Sequence, residues 1–206
     1  MGYYPVSLEL AGRSCVVVGG GAVAERRIET LLAAGAVVTV VSPGLTRALA
    51  VLAAAGRIRH VARPYRHGDL DGAVLALVAA TDPAVTAAVA VEARQRAVWL
   101  NAADDPTHCD FMLPAVVRRG LLTVAVASGG ASPALTRALR EHLDATLGPE
   151  WVPLGELAAE ARRELRAAGR SADGEAWRRA LAADVRELLA AGRVDEARGR
   201  LRERLA

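Results

Sequence analysis

The sequence predicts an α/β fold in which a doubly wound parallel sheet is followed by a small strand-and-helix segment and an α-helical C-terminal tail. Between residues 14 and 100, short apolar strands alternate with helix-period segments, the pattern of parallel sheets with right-handed crossovers. A glycine turn follows the first strand directly, as in Rossmann-type nucleotide-binding units. From Trp151 onward only helical periodicity remains. We therefore predict three domains, over residues 1–113, 114–148 and 149–206.

The strands and helices of the predicted sheet follow one another in a regular order. Ser14–Val18 is a β-branched run typical of a strand buried on both faces, and the helix that begins at Ala22 ends before Gly35. Val37–Val41 is the second strand. Further strands are predicted over residues 58–62, 73–79 and 98–100, separated by helices over residues 45–55 and 84–96.

The second half of the chain has a different pattern. A polar segment, residues 102–110, precedes an apolar stretch and a strand over residues 121–127. Ser132 is a candidate N-cap, with Pro133 as the first residue of a helix that runs to Leu147. The apolar spacing of the tail predicts three amphipathic helices, whose apolar stripes must pack on the preceding domain or on a second chain. Packing on a second chain would make the protein a homodimer.

Composition excludes several classes of protein. All 26 basic residues are arginine, so covalent catalysis by a lysine amine is excluded. Aromatic residues make up 3% of the chain, too few for the stacking surfaces of a nucleic-acid-binding protein. No apolar run reaches the roughly 20 residues of a membrane span, and the N-terminus lacks the pattern of a signal peptide. We expect a cytoplasmic protein that binds neither membrane nor nucleic acid, with Cys15 and Cys109 as structural thiols.

The glycine turn predicts a dinucleotide site. Residues 19–24 fit the fingerprint G-x-G-x-x-G/A, in which backbone N–H groups at a helix N-terminus bind a pyrophosphate. Ligands of such sheets bind beyond the carboxyl ends of the strands, where other polar residues are also expected. The candidate cofactor-binding residues are Gly19, Gly21, Ala22, Val23, Ser42, Pro43, Thr81 and Asn101.

The turn alone does not decide between NAD and NADP. The acidic residue expected about 20 positions after the glycines, which would bind the ribose hydroxyls, is missing, because the second strand ends at Val41-Ser42. Ser42 could still bond to a ribose hydroxyl, and Arg47 could contact a 2′-phosphate.

The loop after the fifth strand concentrates reactive groups. Asp104, Asp105 and Asp110 lie close to His108 and Cys109, a composition that suits proton transfer but is equally compatible with a turn at Asp105-Pro106. The spacing does not favour a closed tetrahedral metal site, and we predict no resident metal. Four arginines lie on either side of the 128–133 loop in the sequence: Arg118, Arg119, Arg137 and Arg140. They form either a solvated surface or, if the substrate is rich in carboxylates, an anion-binding site.

Three blocks carry a resemblance to a known family: residues 18–27 (VGGGAVAERR), residues 101–106 with 109–114 (NAADDP and CDFMLP), and residues 124–133 (VAVASGGASP). Together they resemble the siroheme synthase family and, more narrowly, its precorrin-2 dehydrogenase module. Their order and spacing are kept from about Val6 to Leu147, while the tail resembles the family's dimerisation region only in kind. The 206 residues leave no room for the family's methyltransferase domain, so the chain resembles the stand-alone form.

The resemblance implies NAD-dependent oxidation of precorrin-2 to sirohydrochlorin. It places Asp104 at the family's essential aspartate and Ser128 at its active-site serine, and it makes the four arginines candidate clamps for the carboxylate arms of the substrate. Some members of the family also insert ferrous iron into sirohydrochlorin. The sequence leaves open whether a ferrous or cobaltous ion is a further substrate, and whether the pathway leads to siroheme or cobalamin.

A regulatory module that senses NAD(H) without chemistry, and signals through its helices, is the alternative. The segment from Asn101 to Asp110 separates the two hypotheses, because a sensor does not need a carboxylate beside the nicotinamide.

Overall fold

The computed structural model of the protein describes residues 3–103 and 105–206. These residues form two compact units, which divide between Leu113 and Pro114. Within the described residues, no helix combines the length and the apolar character that crossing a membrane requires.

The first unit is built on a five-stranded sheet in which all strand pairs are parallel, confirming the predicted α/β class. The strands have the order β3-β2-β1-β4-β5, so the direction of winding reverses between β1 and β4. Its elements are β1 (Ser14–Val18), α1 (Ala22–Ala33), β2 (Val37–Val41), α2 (Arg47–Ala54), β3 (Arg59–Val61), β4 (Leu75–Val78), α3 (Pro83–Arg96), β5 (Trp99–Ala102) and a short 3-10 helix, Pro106–His108.

Both faces of this sheet are covered, as the apolar strands require. Alternate residues of β1 point to opposite faces: Cys15 and Val17 belong to one buried cluster, which contains Ile28 and Leu31 of α1, whereas Val16 and Val18 belong to another, which contains Val89 of α3. The sheet is therefore a rigid support for the loops at the carboxyl ends of its strands.

The second unit begins with an antiparallel hairpin and continues as helices. The strand predicted over residues 121–127 is present, and its partner strand comes from the apolar stretch before it, which was not predicted to be a strand. Ser132 is confirmed as an N-cap, because its hydroxyl accepts a hydrogen bond from the backbone N–H of Leu135 (3.2 Å). The elements are β6 (Ala115–Arg119), β7 (Leu122–Val126), α4 (Pro133–Thr146), α5 (Trp151–Ala167), α6 (Gly174–Ala180), α7 (Ala183–Ala190) and α8 (Val194–Leu205).

Two predictions about the tail are wrong. The described tail holds four helices rather than three, because the chain breaks at Ala182, an extended residue that precedes α7. The apolar stripes also need neither the preceding domain nor a second chain to bury them. They pack on one another in a single buried cluster that includes Leu154, Leu157, Val185 and Leu201.

Candidate active site

The glycine turn brings β1 close to the end of β4. Gly19 has a φ of 116°, and a Cβ there would lie 2.8 Å from the carbonyl carbon and oxygen of Ala79, so no larger residue fits. A Cβ on Gly21 would meet nothing within 4 Å, and no side chain in the described part of the chain caps the N-terminus of α1. The first turn of α1 therefore presents unobstructed N–H groups and the positive end of the helix dipole, which fits a pyrophosphate.

Gly20, the middle glycine of the turn, packs against the loop after β2. A Cβ on Gly20 would lie 2.1 Å from the carbonyl oxygen of Gly44, and the backbone N–H of Thr46 donates to Gly20 O (2.9 Å). The hydroxyl of Thr46, the N-cap of α2, donates to Glu25 Oε2 (2.7 Å) and accepts from Leu49 N (3.3 Å). The first turns of α1 and α2 are thus held beside each other.

Ser42 lies in this loop with its side chain already engaged. It is 8% exposed, and its Oγ donates to the carbonyl oxygen of Gly44 (2.7 Å). Its hydroxyl hydrogen is therefore used to close the turn, and only its lone pairs remain for a ribose hydroxyl. Pro43 and Thr81 are exposed at the same end of the sheet, as is Val23, while Ala22 begins α1.

Arg47 is the first residue of α2. It lines a wide groove of about 800 Å³ between α1 and α2, together with Glu25, Glu29 and Arg57. The groove lies along the flanks of the two helices and is not formed by the glycine turn. Arg47 is exposed and makes no hydrogen bond or ion pair within the described residues.

Asn101 is part of β5, paired with Leu77, and does not follow the strand as predicted. Its side chain is 5% exposed, and its Nδ2 donates to the carbonyl oxygen of Phe111 (2.9 Å). Its Oδ1 is buried, and no donor among the described residues reaches it. A buried acceptor without a donor costs free energy, so this oxygen fits a ligand that brings a donor, such as an amide N–H.

Arg27 is a charged residue at this edge to which sequence reasoning gave no role. It projects from α1, and its Nη1 donates to the carbonyl oxygens of Val78 (3.3 Å) and Asn101 (3.4 Å), at the carboxyl ends of β4 and β5. The signal available in the sequence was helical spacing, because Arg27 lies one turn after Val23, on the side of α1 that faces the sheet edge.

The loop after β5 folds back on that strand. Asp110 exchanges hydrogen bonds with Leu100, through its own N–H (2.8 Å) and through Oδ2 as acceptor (2.8 Å). The Cys109 thiol accepts from Ala102 N (3.2 Å) and donates to the carbonyl oxygen of Ala102 or Asp105 (both 3.3 Å). Burial raises the pKa of Cys109, so the thiol is neutral and fastens the loop.

Asp105 and His108 form a pair within the same loop. The Asp105 carboxylate accepts from the Thr107 hydroxyl (2.5 Å) and from His108 Nδ1 (2.7 Å), and these bonds lower the pKa of Asp105. A carboxylate with a lowered pKa is a weak base, which leaves its neighbour Asp104 as the candidate for proton transfer. Asp104 itself lies outside the described residues. Among the described ones, no three His, Cys, Asp or Glu side chains are grouped to hold a metal ion.

In the second unit, Ser128 closes the loop before α4. Its hydroxyl accepts from Ser132 N (3.0 Å) and donates to Ser132 O (3.3 Å), while Gly129 and Gly130 adopt positive φ. This geometry fixes the start of α4 and leaves the Ser128 side chain half-buried.

The four arginines predicted to bind the substrate differ in their surroundings. Arg119 is occupied: it donates to the carbonyl oxygens of Leu147 (2.8 Å) and Asp144 (2.7 Å) and pairs with the Asp144 carboxylate (3.0 Å), which makes it an anchor for the end of α4 rather than a substrate clamp. Arg140 has a weak pair with Glu141 (3.2 Å). Arg118 and Arg137 are exposed, without an ion pair among the described residues.

Comparison with known proteins identifies the family of the chain. Residues 6–115 match the model of a family described as "Putative NAD(P)-binding". The chain is 43% identical to a siroheme synthase of Methylobacillus flagellatus over 79% of this chain and 35% of that protein. It is 38% identical to a siroheme synthase of Methylococcus capsulatus over 96% of this chain and 42% of that protein. The chain thus spans about two fifths or less of the length of these relatives.

Among solved structures, the chain is similar to one titled "SirC, precorrin-2 dehydrogenase". The two are 29% identical with a TM-score of 0.74, and the match covers 98% of this chain and 97% of the other. The likeness therefore includes both units and not only the dinucleotide-binding one.

Proposed function

The chain belongs to the NAD(P)-binding family that forms the N-terminal module of siroheme synthases, and from this premise we propose that it oxidises precorrin-2 to sirohydrochlorin with NAD as the oxidant. The observation that carries the proposal is the carboxyl edge of the sheet. There the first turn of α1 is open, and the buried Oδ1 of Asn101, which no donor among the described residues reaches, suits a nicotinamide dinucleotide that brings an amide N–H.

The residues of the first unit would bind and orient the cofactor. Gly21, Ala22 and Val23 would donate backbone N–H groups to the pyrophosphate, and Gly19 keeps the turn tight against Ala79. The lone pairs of Ser42 would meet the ribose, while Pro43 and Thr81 would border the same edge. When bound, NAD supplies a hydride acceptor.

The oxidation removes a hydride and a proton from the macrocycle, so a base must take up the proton. We assign this role to Asp104, whose neighbour Asp105 is held by Thr107 and His108 in a form that makes it a poor base. The proton moves from a carbon or nitrogen atom of the macrocycle to the Asp104 carboxylate, while the two electrons leave with the hydride.

Substrate binding is proposed for the second unit. Arg118, Arg137 and Arg140 would pair with carboxylate arms of the macrocycle, since guanidinium groups bind carboxylates through paired hydrogen bonds. Arg119 is left out of this proposal, because its Nε and Nη2 already donate to the carbonyl oxygens of Leu147 and Asp144 at the end of α4. Ser128 would contact the substrate from the loop that its own hydroxyl closes.

We also propose that the active form is a homodimer. None of the residues of α4 is buried, although the helix is strongly amphipathic, and Leu135 and Leu139 on one face are 61% and 44% exposed. Leu121 in the hairpin turn is 67% exposed. Apolar surface of this kind is typical of an interface between subunits. A Leu135→Glu variant should elute as a monomer on size exclusion with light scattering.

The decisive experiment mixes the purified protein, NAD and freshly prepared precorrin-2 without oxygen, and follows NADH and the macrocycle spectrum. An Asp104→Ala variant should keep NAD affinity while losing oxidation by at least about 100-fold, the contribution of a general base. Asp105→Asn is the matched control and should keep most of the activity. Equal turnover by wild type and Asp104→Ala would refute the role of Asp104.

Two further outcomes belong to the same experiment. If NAD binds but precorrin-2 is never oxidised by the wild type, the chain is an NAD(H)-sensing module instead. Adding ferrous or cobaltous ion to sirohydrochlorin afterwards tests metal insertion as a separate activity, which would be read from the spectrum of the metallated macrocycle.

A further inference from the structure

The surroundings of Arg27 connect the cofactor helix to the residue before Asp104. Arg27 Nη1 donates to the carbonyl oxygen of Val78 (3.3 Å), and the same oxygen accepts from the backbone N–H of Ala103 (2.9 Å). Arg27 and Ala103 therefore share one acceptor atom at the end of β4. Ala103 is the residue directly before Asp104 in the sequence.

A second contact ties Arg27 to β5. Its Nη1 also donates to the backbone oxygen of Asn101 (3.4 Å), which lies 74 residues further along the chain. One guanidinium on α1 thus spans the carboxyl ends of two neighbouring strands. Its helix begins at the glycine turn, so a shift of that turn would be transmitted to the strand ends.

The charge of Arg27 also reaches the loop that follows β5. Cys109 lies within its field: burial raises the pKa of the thiol most, the carboxylates of Asp105 and Asp110 raise it further, and the positive charge of Arg27 lowers it. Cys109 is five residues after Asp104, in the same loop. It can therefore report the electrostatic potential there.

We propose that Arg27 is a positioning residue of the active site, which ties the carboxyl ends of β4 and β5 to the cofactor helix and keeps Asp104 ionised, as a base must be. The second part rests on the proposed function. A positive charge nearby favours the ionised form of a carboxyl group, and it offsets the negative charges that Asp105 and Asp110 place in the same loop. His108 is bonded to Asp105 and contributes only when protonated.

Three variants test this proposal. Arg27→Gln removes the charge, Arg27→Lys keeps the charge and one donor group, and Arg26→Gln removes an exposed charge from the neighbouring position of the same helix. For each, kcat/KM for precorrin-2 is measured against pH. The alkylation rate of Cys109 by iodoacetamide is measured against pH by mass spectrometry, which separates it from the fully buried Cys15. Circular dichroism and NAD affinity monitor folding and the cofactor site.

In Arg27→Gln, the acidic limb of the kcat/KM profile should move to higher pH by about 1 unit, the lower end of the shift that one nearby opposite charge causes in a carboxyl pKa. The alkylation profile of Cys109 should move in the same direction. Arg27→Lys should restore both profiles, and Arg26→Gln should leave both unchanged.

A loss of rate in Arg27→Gln with both profiles unchanged would overturn the proposal, because a purely structural residue has that effect. A shifted Cys109 profile with an unmoved acidic limb would overturn the part assigned to Asp104. If the wild type does not oxidise precorrin-2, the proposed function fails, whereas the Cys109 profile still tests whether Arg27 sets the potential of the loop.

Discussion

Glu92, in the first unit, is a carboxylate with no exposed surface, whereas the acidic side chains of the second unit stay at its surface. Glu92 accepts hydrogen bonds from the Tyr65 hydroxyl, from Gly68 N (2.9 Å) and from Leu70 N (3.2 Å), and it pairs with Arg96 Nε (2.7 Å). Four donors thus compensate the loss of water around one buried charge.

The helices of the second unit use charge differently. Asp184 pairs with Arg204 (2.7 Å), and Glu160 pairs with Arg202 (2.8 Å). Each of these four side chains is between 30% and 46% exposed. The buried cluster beneath them is apolar. These ion pairs are screened by water and contribute little to stability.

The first unit needs a buried carboxylate and the helices of the second unit do not, because their backbone groups are satisfied in different ways. Between β3 and β4 the chain crosses the sheet without a helix, so its backbone N–H groups at Gly68 and Leu70 need an acceptor from elsewhere. Glu92 on α3 supplies it. The helices of the tail satisfy their own backbone groups and need only apolar contact between them.

The largest effect is expected when the buried carboxylate is removed. Glu92→Ala should lower the free energy of unfolding by about 3–5 kcal/mol, because the Tyr65 hydroxyl and the N–H groups of Gly68 and Leu70 lose their buried acceptor, while Arg96 keeps its pair with Asp71. Urea denaturation followed by circular dichroism measures the change. Hydrogen exchange should show lost protection in residues 63–70, and a loss of less than about 1 kcal/mol would mean that water replaces the carboxylate.

A second test compares two glycines of the same turn. Gly19→Ala should destabilise the first unit by about 3 kcal/mol, since it combines a positive φ with a contact of 2.8 Å to Ala79. Gly21→Ala, which meets nothing within 4 Å, should keep the stability within about 1 kcal/mol and weaken only NAD binding. Thermal unfolding and calorimetric titration with NAD separate the two effects, and equal stability losses would contradict the geometry.

The lowered pKa of Glu92 makes the free energy of unfolding depend on pH. Burial would raise its pKa, but the hydrogen bonds from Tyr65, Gly68 and Leu70 outweigh burial and lower it. A carboxyl group whose pKa is lower in the folded state stabilises the fold above its unfolded pKa of about 4.3, and this contribution is lost as the pH falls through the folded value. Urea denaturation between pH 3 and 7 should show a weaker acid dependence for Glu92→Gln than for the wild type.

The smallest effect is expected at the surface of the tail. Hydrogen bonds from Arg204 and Arg200 lower the pKa of Asp184, but the pair is open to solvent. Asp184→Asn should change the Tm by no more than about 2 °C. A scanning calorimetry experiment at low and at 0.5 M salt measures it. A larger fall in Tm would show that the surface ion pairs of the second unit stabilise the fold as the buried Glu92 does in the first unit.

The strands of the sheet could be predicted closely because their residues are apolar on both faces. β1 and β2 have the predicted bounds, and the helix after the glycine turn begins at Ala22 as expected. The sequence predicts that β5 ends before Asn101, because Asn101 is polar, but β5 includes Asn101, whose side chain the returning loop buries. The sequence predicts one helix too few in the tail, because its apolar spacing continues across the break at Ala182.

Only part of the candidate site could be predicted from the sequence, because only some of its features depend on local pattern. Glycines in a turn are recognisable because few residues adopt their backbone angles, so Gly19 and Gly21 could be proposed from the sequence. The occupied donors of Arg119 and the closed hydroxyl of Ser42 depend on contacts with distant or folded-back backbone atoms. No periodicity encodes such contacts.

By itself, the sequence determined the alternating α/β order, the glycine turn after the first strand and the resemblance that names a substrate. These features depend on local pattern, which the chain carries whether or not it is folded. Only the tertiary structure decided that Arg27 bridges Val78 and Asn101, and that no donor among the described residues reaches Asn101 Oδ1 at the sheet edge. Such pairings join residues more than 50 positions apart, and they arise only when parallel strands bring their carboxyl ends to one edge.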